Sequence, residues 1–572
     1  MEKEIFLDIA CFFSTDQFRG YDGWFETSKK ILGYRGFYPE IGMKVLVEKS
    51  LISYHRGKIC MHDLLKELGK TIVREKTPKE PRKWSRLWDY KDLQKVMIEN
   101  KEAKNLEAIV IDIEKYQEEF LQRTMTVDAL SKLIHLKLLM FKNVNFSGIL
   151  NYLSNEMTYL YWKNYPFMSL PSSFHPDQLV ELILPYSNIK ELWKDTRYLP
   201  NLEILDLKYS QNLIEMPDLS GVPHLRDLDL EGCTKIVRID PSIGTLRELV
   251  RLNLRNCKNL FLNLNIIFGL SSLVVLNLSA SAIYFKSPDA IGNLHSLVIL
   301  NLGGNKFVTL PNTIKQLSKL RFLILEHCKQ LKYLPELPTP KKRKNHKYYG
   351  ELNTFNCPNL SEMELIYRMV FSWMTQIFEV HWQSSLSFNR LNIVIPGTEI
   401  PRWFSKQNEG DSISMDPSPV MDNPNWIGVA CCALLVALHD PSNIGNRWRN
   451  LPFDFGSMGF SFQNKQVLNK TSRALPIHLQ NDLVTGELDH LLILFASREG
   501  FLLFPSEDET DMHGLDTRGF TTSIYDHPKG LRMQVKSCGY RWVFKEDLQQ
   551  LNPNMMFRGN PSSRKRKLLS SD

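Results

Sequence analysis

The nine residues from Leu249 to Cys257, LVRLNLRNC, decide how most of this chain folds. Leucines take the first, fourth and sixth places and a cysteine the ninth. The same LxxLxLxx pattern, followed by Asn, Cys or a small residue, starts at Leu136, Met157, Leu179, Leu202, Leu225, Leu249, Leu273, Leu297 and Leu320. Successive starts are 21, 22, 23, 23, 24, 24, 24 and 23 residues apart, the period of leucine-rich repeats. The first two units are degenerate, with Val144 and Tyr165 in the closing slot, which Cys233, Cys257, Asn305 and Cys328 fill later. Each unit points residues such as Leu249, Leu252 and Leu254 inward from a short strand. One unit cannot bury its own apolar face, so stacked units share a core and their strands line a concave surface.

At 572 residues and 43% hydrophobic content the chain has room for several folded regions, with the solenoid in the middle. The net charge is +8, yet Lys341 to Lys344 and Arg564 to Lys567 carry four positive charges each, so the remainder is balanced. Two local clusters of this kind read as solvated loops or tails, and no specific nucleic-acid partner is expected. Nine cysteines without a C-x-x-C pair, three of them at ladder turns and two adjacent at Cys431 and Cys432, fit a reducing compartment. Glu2 and Glu4 precede the apolar run Ile5 to Phe13, the wrong charge for a secretory signal. The apolar run Ile427 to Leu438 has 12 residues, short of the roughly 20 that span a membrane. A cytoplasmic or nuclear protein without a membrane span is expected, and the glycosylation-type triplets at Asn145, Asn277, Asn359 and Asn469 are read as coincidental.

Residues 1–104 alternate helical patterns with a hairpin signal. Ile41 to Lys49 reads as an amphipathic helix, and Leu51 to Tyr54, Arg56-Gly57 and Lys58 to Met61 read as strand, turn, strand. Asp63 is the expected N-cap of a helix in which Leu64, Leu65, Leu68, Ile72 and Val73 recur at helical spacing. Helices followed by a small β-wing predict a winged-helix domain. Its first helix starts without a lead-in, which suggests a chain beginning partway through a larger architecture. Gly69-Lys70-Thr71 imitates the end of a phosphate-binding loop, but Leu64 stands where the first glycine belongs and the stretch reads as helix. No H-E-x-x-H, G-x-S-x-G or paired-cysteine metal site is present, so neither a catalytic residue nor a metal is expected.

Four strings together, KEIFLDIACFF at Lys3 to Phe13, EKSLI at Glu48 to Ile52, MHDLLKELGKTIVRE at Met61 to Glu75 and SRLW at Ser85 to Trp88, resemble the last part of the nucleotide-binding module (NB-ARC) of plant TIR-type immune receptors. The resemblance implies that residues 1–104 are its ARC2-like winged helix and that Met61, His62 and Asp63 form the MHD motif. In such proteins the histidine reaches the β-phosphate of ADP and holds the receptor closed. ADP and ATP are thus implied for a complete receptor, and no nucleotide is expected on this chain alone, which lacks the phosphate loop. The NAD-cleaving activity of the family belongs to a TIR domain absent here, so a binding protein rather than an enzyme is expected.

From Asn105 to Ile113 an alternating strand leads into the array, assigned to residues 105–360. Its outward candidates for ligand binding are Glu181, Tyr186, Glu203, Asp206, Lys208, Tyr209, Arg226, Asp227, Asp229, Glu231, Arg251, Arg255, Arg321, Glu326 and His327. Acidic residues crowd positions 181 to 231 and arginines the 251 to 255 unit, a mixed field suited to a protein partner; each residue also reads as simple solvated strand face. Residues 335–350 read as a loop, Leu352 to Leu360 as a closing unit and residues 361–385 as a capping helix and linker. Residues 386–551 change to alternating strands and predict a β-sandwich. IPGTEIPRWF at Ile395 to Phe404, with Asp489-His490-Leu491 and Cys538 to Arg541, resembles the post-repeat jelly-roll or immunoglobulin-like C-JID domain of the same receptors. Trp403 and Phe404 read as core. Residues 552–572 read as a disordered basic tail.

The expected fold class is therefore α+β multidomain: a winged-helix remnant, an α/β leucine-rich solenoid and a C-terminal β-sandwich. The resemblance implies part of an intracellular immune receptor that recognises a pathogen effector or a guarded host protein through its repeats and post-repeat domain. Two alternatives stay open: a truncated adaptor or decoy acting on full-length receptors of the same class, and an incomplete gene model of an NAD-hydrolysing receptor.

Overall fold

The computed structural model describes residues 1–14, 24–55, 58–113, 124–260, 264–281, 289–338, 348–360, 363–381, 389–416, 418–420, 423–437, 456–464, 473–479, 488–498, 520–527 and 533–550. The Arg56-Gly57 turn, the two basic clusters and the tail from 552 lie outside these residues. The chain forms two compact units, Met1–Ala282 and Ile283–Asp572.

In the first unit the apolar run at the N-terminus forms the helix Glu2–Asp8, continued by a π-helical turn Ile9–Phe13 in which every residue is buried. Helices Pro39–Glu48 and Asp63–Arg74 pack against it, Trp24–Tyr34 packs on Pro39–Glu48, Tyr90–Glu99 packs on Pro81–Lys83 and Asp128–Lys132, and a hairpin pairs Ser53–His55 against Lys58–Cys60. Gly69 is the buried residue of its helix; a Cβ there would lie 2.4 Å from the Cβ of Ala10. The phosphate-loop imitation is thus a helix-packing site. The cap of that helix is His62, not Asp63: Nδ1 of His62 accepts the Leu64 N–H at 3.2 Å, while Asp63 is the first helical residue and pairs with Lys66. Aspartate still suits the first turn, where the exposed amides favour negative charge.

Asp8, inside the apolar string, is wholly buried. Its carboxylate accepts two bonds from Nη1 of Arg35, at 2.8 and 2.9 Å, and one from Nε of Arg86 at 2.5 Å. Arg35 continues to Glu107 at 3.2 Å and Arg86 to Glu4 at 2.8 Å. Burial works against the charge on Arg86, but the carboxylates of Asp8 and Glu4 hold its pKa above the usual value. This network ties the first two helices to Arg86–Leu87, a short strand lying before the expected array boundary, which pairs in parallel with Ala108–Asp112.

The array strands of this unit are Ala108–Asp112, Leu138–Lys142, Tyr159–Lys163, Glu181–Ile183, Ile204–Asp206, Asp227–Asp229, Arg251–Asn253 and Val275–Asn277, all parallel and in register with their neighbours. Leu249, Leu252 and Leu254 are completely buried. Past the seven strands from Leu138–Lys142 onward the chain turns through one left-handed residue, and the closing slot follows it. Asn143, Asn164, Tyr186, Tyr209, Gly232, Asn256 and Ala280 take the left-handed position. Closing residues then donate to a carbonyl of the preceding unit: Ser210 to Leu184, Cys233 to Leu207, Cys257 to Leu230 and Ser281 to Leu254. A small donor is needed there because a buried carbonyl without a partner is costly.

In the second unit Ile299–Asn301, Phe322–Ile324 and Tyr348–Asn353 continue the pattern. The boundary expected at residue 360 is crossed by the sheet, since Asn389–Pro396 adds in parallel beside Tyr348–Asn353 and then pairs antiparallel with His490–Ser497. The helix Met363–His381 places Phe371 against Trp403 and Phe495, and Trp373 donates to the Pro338 carbonyl at 3.0 Å. It packs on strands of the following domain as well as on the last repeats.

Beyond this, Trp426–Ala437 pairs with His490–Ser497 and Met533–Phe544, and the latter with Lys406–Glu409. A second antiparallel sheet holds Ser412–Met415, Phe520–His527, Gly456–Asn464 and Arg473–Leu479. Ile413 and Met415 share a core with Val429, Cys431, Leu494 and Trp542. Cys431 and Cys432 are buried free thiols. Phe404 is buried, as expected of core.

Candidate ligand-binding face of the repeats

Register assembles the outward residues into rows. Asp227 lies beside Arg251 and Asp229 beside Asn253, because parallel strands place equivalent repeat positions next to each other. Arg251 donates to Asp227 at 2.6 Å and to Asp229 at 2.8 Å. Nδ2 of Asn253 bridges Asp229 and Glu231, each at 3.0 Å, and Arg255 reaches Glu231 at 3.3 Å. Lys208 pairs with Asp206 at 3.1 Å. The mixed field expected from sequence is therefore a ladder of ion pairs. Asp229 and Arg255 are buried within it rather than displayed. Burial holds the Asp206 and Asp227 carboxyls above the ordinary carboxylate range, against the pull of Lys208 and Arg251 respectively.

Two aromatic residues stand at the edge of this ladder. Tyr186 and Tyr209 occupy the left-handed slots of adjacent repeats, with φ of 59° and 58°, and their rings stack 4.8 Å apart at 18°. The slot otherwise holds Asn, Gly or Ala among the described residues of this unit. Left-handed backbone costs a residue with a bulky side chain roughly 1 kcal/mol, which glycine avoids and asparagine reduces by local hydrogen bonding. Gly232, in the next slot, makes room for the second ring; a Cβ there would lie 2.5 Å from Cδ1 of Tyr209. The hydroxyl of Tyr209 donates to Glu231 at 2.7 Å, joining the aromatic pair to the ladder. A cavity of about 350 Å³ opens here, bordered by Asn164, Pro166, Asn188 and Gln211 together with both tyrosines.

The remaining candidates divide by accessibility. Arg226 is exposed, and Glu203 and Arg321 are half-buried. Glu181 is buried: it accepts a 2.8 Å bond from the hydroxyl of Tyr34 on the helix Trp24–Tyr34, and burial raises its pKa. The N-terminal helices, not solvent, meet this end of the face. In the second unit Glu326 and His327 are buried beneath the next strand and its turn, with Nδ2 of Asn353 on Glu326 at 2.6 Å and Nδ2 of Asn356 on Nδ1 of His327 at 2.8 Å. Around the MHD triplet Met61 is buried while His62 and Asp63 are exposed. Leu64 and Leu68 on the same helix are also exposed, at 75% and 50%. The Asp8 clamp and the Tyr34 contact were missed; each joins residues distant in sequence, and only the unusual charge of Asp8 within an apolar run hinted at the first. Among the described residues no group of side chains could hold a metal, and no helix is long and apolar enough to cross a membrane.

Comparison with known proteins agrees segment by segment. Residues 1–77 match the family model described as "Disease resistance protein Roq1-like, winged-helix domain". Residues 178–197 and 271–329 match leucine-rich-repeat models, and residues 395–549 match the C-JID domain. Disease resistance protein RUN1 of Vitis rotundifolia is 37% identical over 277 residues, covering 43% of this chain and 20% of that protein. Disease resistance protein RPP2A of Arabidopsis thaliana is 34% identical over 345 residues, covering 59% of this chain and 25% of that protein. The chain thus spans between 20% and 25% of the length of these two curated relatives. Winged-helix, repeat and C-JID matches follow one another along a single sequence, and together they support a C-terminal region of the kind carried by plant TIR-type nucleotide-binding leucine-rich-repeat disease resistance proteins.

Proposed function

We propose that this chain is the recognition and regulatory region of an intracellular plant immune receptor, whose repeats and post-repeat domain bind a pathogen effector or a guarded host protein. The observation that carries the reading is the charged strand face from Ile204 to Arg255, with its aromatic cleft, on a chain that also bears a C-JID match. Paired charges and stacked tyrosines suit a protein surface: they give orientation and discrimination rather than bulk adhesion. Residues 1–104 are read as the winged helix. Exposed His62, at the start of its helix, would contribute to holding the β-phosphate of ADP in a complete receptor, where Leu64 and Leu68 would be covered by the nucleotide-binding domain. The two C-terminal sheets are read as the post-repeat β-sandwich. Chemistry on NAD belongs to a TIR domain, and the site of action is cytoplasmic or nuclear.

The test is a charge reversal that preserves pairing. Asp227→Arg with Arg251→Asp and Asp229→Asn, introduced into a complete receptor carrying this chain, keeps the 227–251 ion pair, sets no second carboxylate against the new aspartate and inverts the presented surface. Recognition through the repeats predicts loss of effector-triggered cell death in leaf tissue at unchanged protein level. Full retention of the response would refute the assignment of this face.

A further inference from the structure

We propose that the cleft at Tyr186 and Tyr209 is a pocket for a cationic side chain, arginine in particular, presented by the protein that the repeats recognise. The proposal rests on the reading of the repeats as a protein-binding surface and specifies which chemistry that surface selects. Its starting point is a backbone outlier. Seven successive repeats of the first unit need a left-handed residue after the strand; three use Asn, one Gly and one Ala, and the two that use Tyr are adjacent. Tyrosine is a poor choice for that backbone, so its use twice in a row points to a side-chain requirement.

The two rings are arranged for contact rather than concealment. Tyr186 is 43% exposed and stacks on Tyr209, which Gly232 seats by having no side chain. The cavity of about 350 Å³ beside them carries the side-chain amides of Asn164, Asn188 and Gln211. Nδ2 of Asn188 donates to the Pro166 carbonyl, and Nδ2 of Asn212 donates to Oδ1 of Asn188 at 2.6 Å. These bonds hold the Asn188 side chain in place at the mouth of the cleft. Aromatic faces and amide oxygens together accept a planar guanidinium, which stacks on one and donates to the other.

The nearest ionic group favours a cation over a neutral guest. Along the ladder the carboxylates of Asp206, Asp227, Asp229 and Glu231 face Lys208, Arg251 and Arg255, and Lys235 bonds Asn212 at the edge of the cleft, so the surrounding charges balance and the carboxylate at the rings decides. Glu231 lies directly at the hydroxyl of Tyr209. A sugar would also stack on tyrosines, but it would gain nothing from this field.

The experiment uses the full chain and fluorescein-labelled Gly/Ser nonapeptides bearing a central Arg, Lys, citrulline or Gln, read by fluorescence anisotropy at low salt. Citrulline keeps the shape of arginine without its charge. The arginine peptide is expected to bind roughly fivefold to thirtyfold more tightly than the citrulline peptide, the range of a cation over an aromatic face. Tyr186→Asn should abolish that difference while leaving the melting temperature equal or higher, because Asn accepts the left-handed backbone. Equal binding of Arg and citrulline peptides, no measurable binding of the Arg peptide, or displacement of it by cellotetraose would each overturn the pocket. So would Tyr186→Asn that lowers the melting temperature and keeps the selectivity, since the tyrosines would then serve only to staple the turns. A receptor that loses recognition on charge reversal of the ladder yet keeps it with Tyr186→Asn sinks the pocket and leaves the proposed function standing.

Discussion

Replacing Asp8 with Asn removes one negative charge from between two arginines whose side chains are only 1% and 2% exposed. Breaking a buried ion pair by neutralising one member generally costs 3–5 kcal/mol, because the partner charge is left uncompensated. Here each arginine keeps a second acid: Glu107 for Arg35 at 3.2 Å and Glu4 for Arg86 at 2.8 Å, both more than 40% exposed. Those remaining contacts put the loss at the low end, about 3 kcal/mol. Native-state hydrogen exchange resolves it locally: amides of the peptide from Ile5 to Phe13 should exchange roughly a hundredfold faster in Asp8→Asn where they open with this region. The combined Asp8→Leu, Arg35→Met and Arg86→Met variant should recover much of the protection, since an apolar replacement leaves no stranded charge. Less than threefold acceleration in Asp8→Asn would refute the clamp as an energetic centre.

Gly69→Ala should lower the stability of the N-terminal helices by about 1–2 kcal/mol in urea titration, the clash with Ala10 outweighing the gain in helix propensity; a stabilised variant would contradict the packing. Gly232→Ala should displace the Tyr209 ring and cost about 1–3 kcal/mol, seen as a changed near-ultraviolet circular dichroism signal and a lower melting point, because the position has φ of 71° and no space for a methyl group. His490 is buried and accepts the Asn356 amide on Nε2 at 2.8 Å; burial pushes its pKa down from 6.5 to about 4. Its neutral form is the folded one, so the stabilisation is complete above pH 6.5 and is lost as pH falls towards 4, by roughly 3 kcal/mol in all. Unfolding of the second unit followed against pH should show this slope in the wild type and a flatter one in His490→Gln. Glu351 titrates with the opposite trend. Burial raises it from 4.5 to about 7, so Glu351→Gln should remove a loss of stability that otherwise grows between those pH values.

The ladder was legible because its signal is local and repeated: Leu249, Leu252 and Leu254 are buried by the same geometry in every unit. The hairpin and the major C-terminal strands were legible for similar reasons of alternation. Lys406–Glu409 was not, since all four of its side chains are exposed and show no alternation, and it joins the sheet through its backbone. Nor was the cap at His62, because Asp63 is the better cap by residue type and only the backbone places the histidine ahead of the first helical residue.

The candidate face shows the division most clearly. Spacing of about 23 residues put Asp227, Asp229, Arg251 and Arg255 on one surface, and the sequence by itself determined that they would be neighbours. Tertiary structure alone decided which of them remain available: Tyr34 covers Glu181, the ladder consumes Asp229 and Arg255, and Asn353 at the end of the next strand engages buried Glu326. It also decided that Tyr186 and Tyr209 meet as a stacked pair. Repeat periodicity specifies register within the sheet, a short-range property of each unit. Accessibility depends on what chain segments remote in sequence lay over that sheet, and no local pattern encodes it.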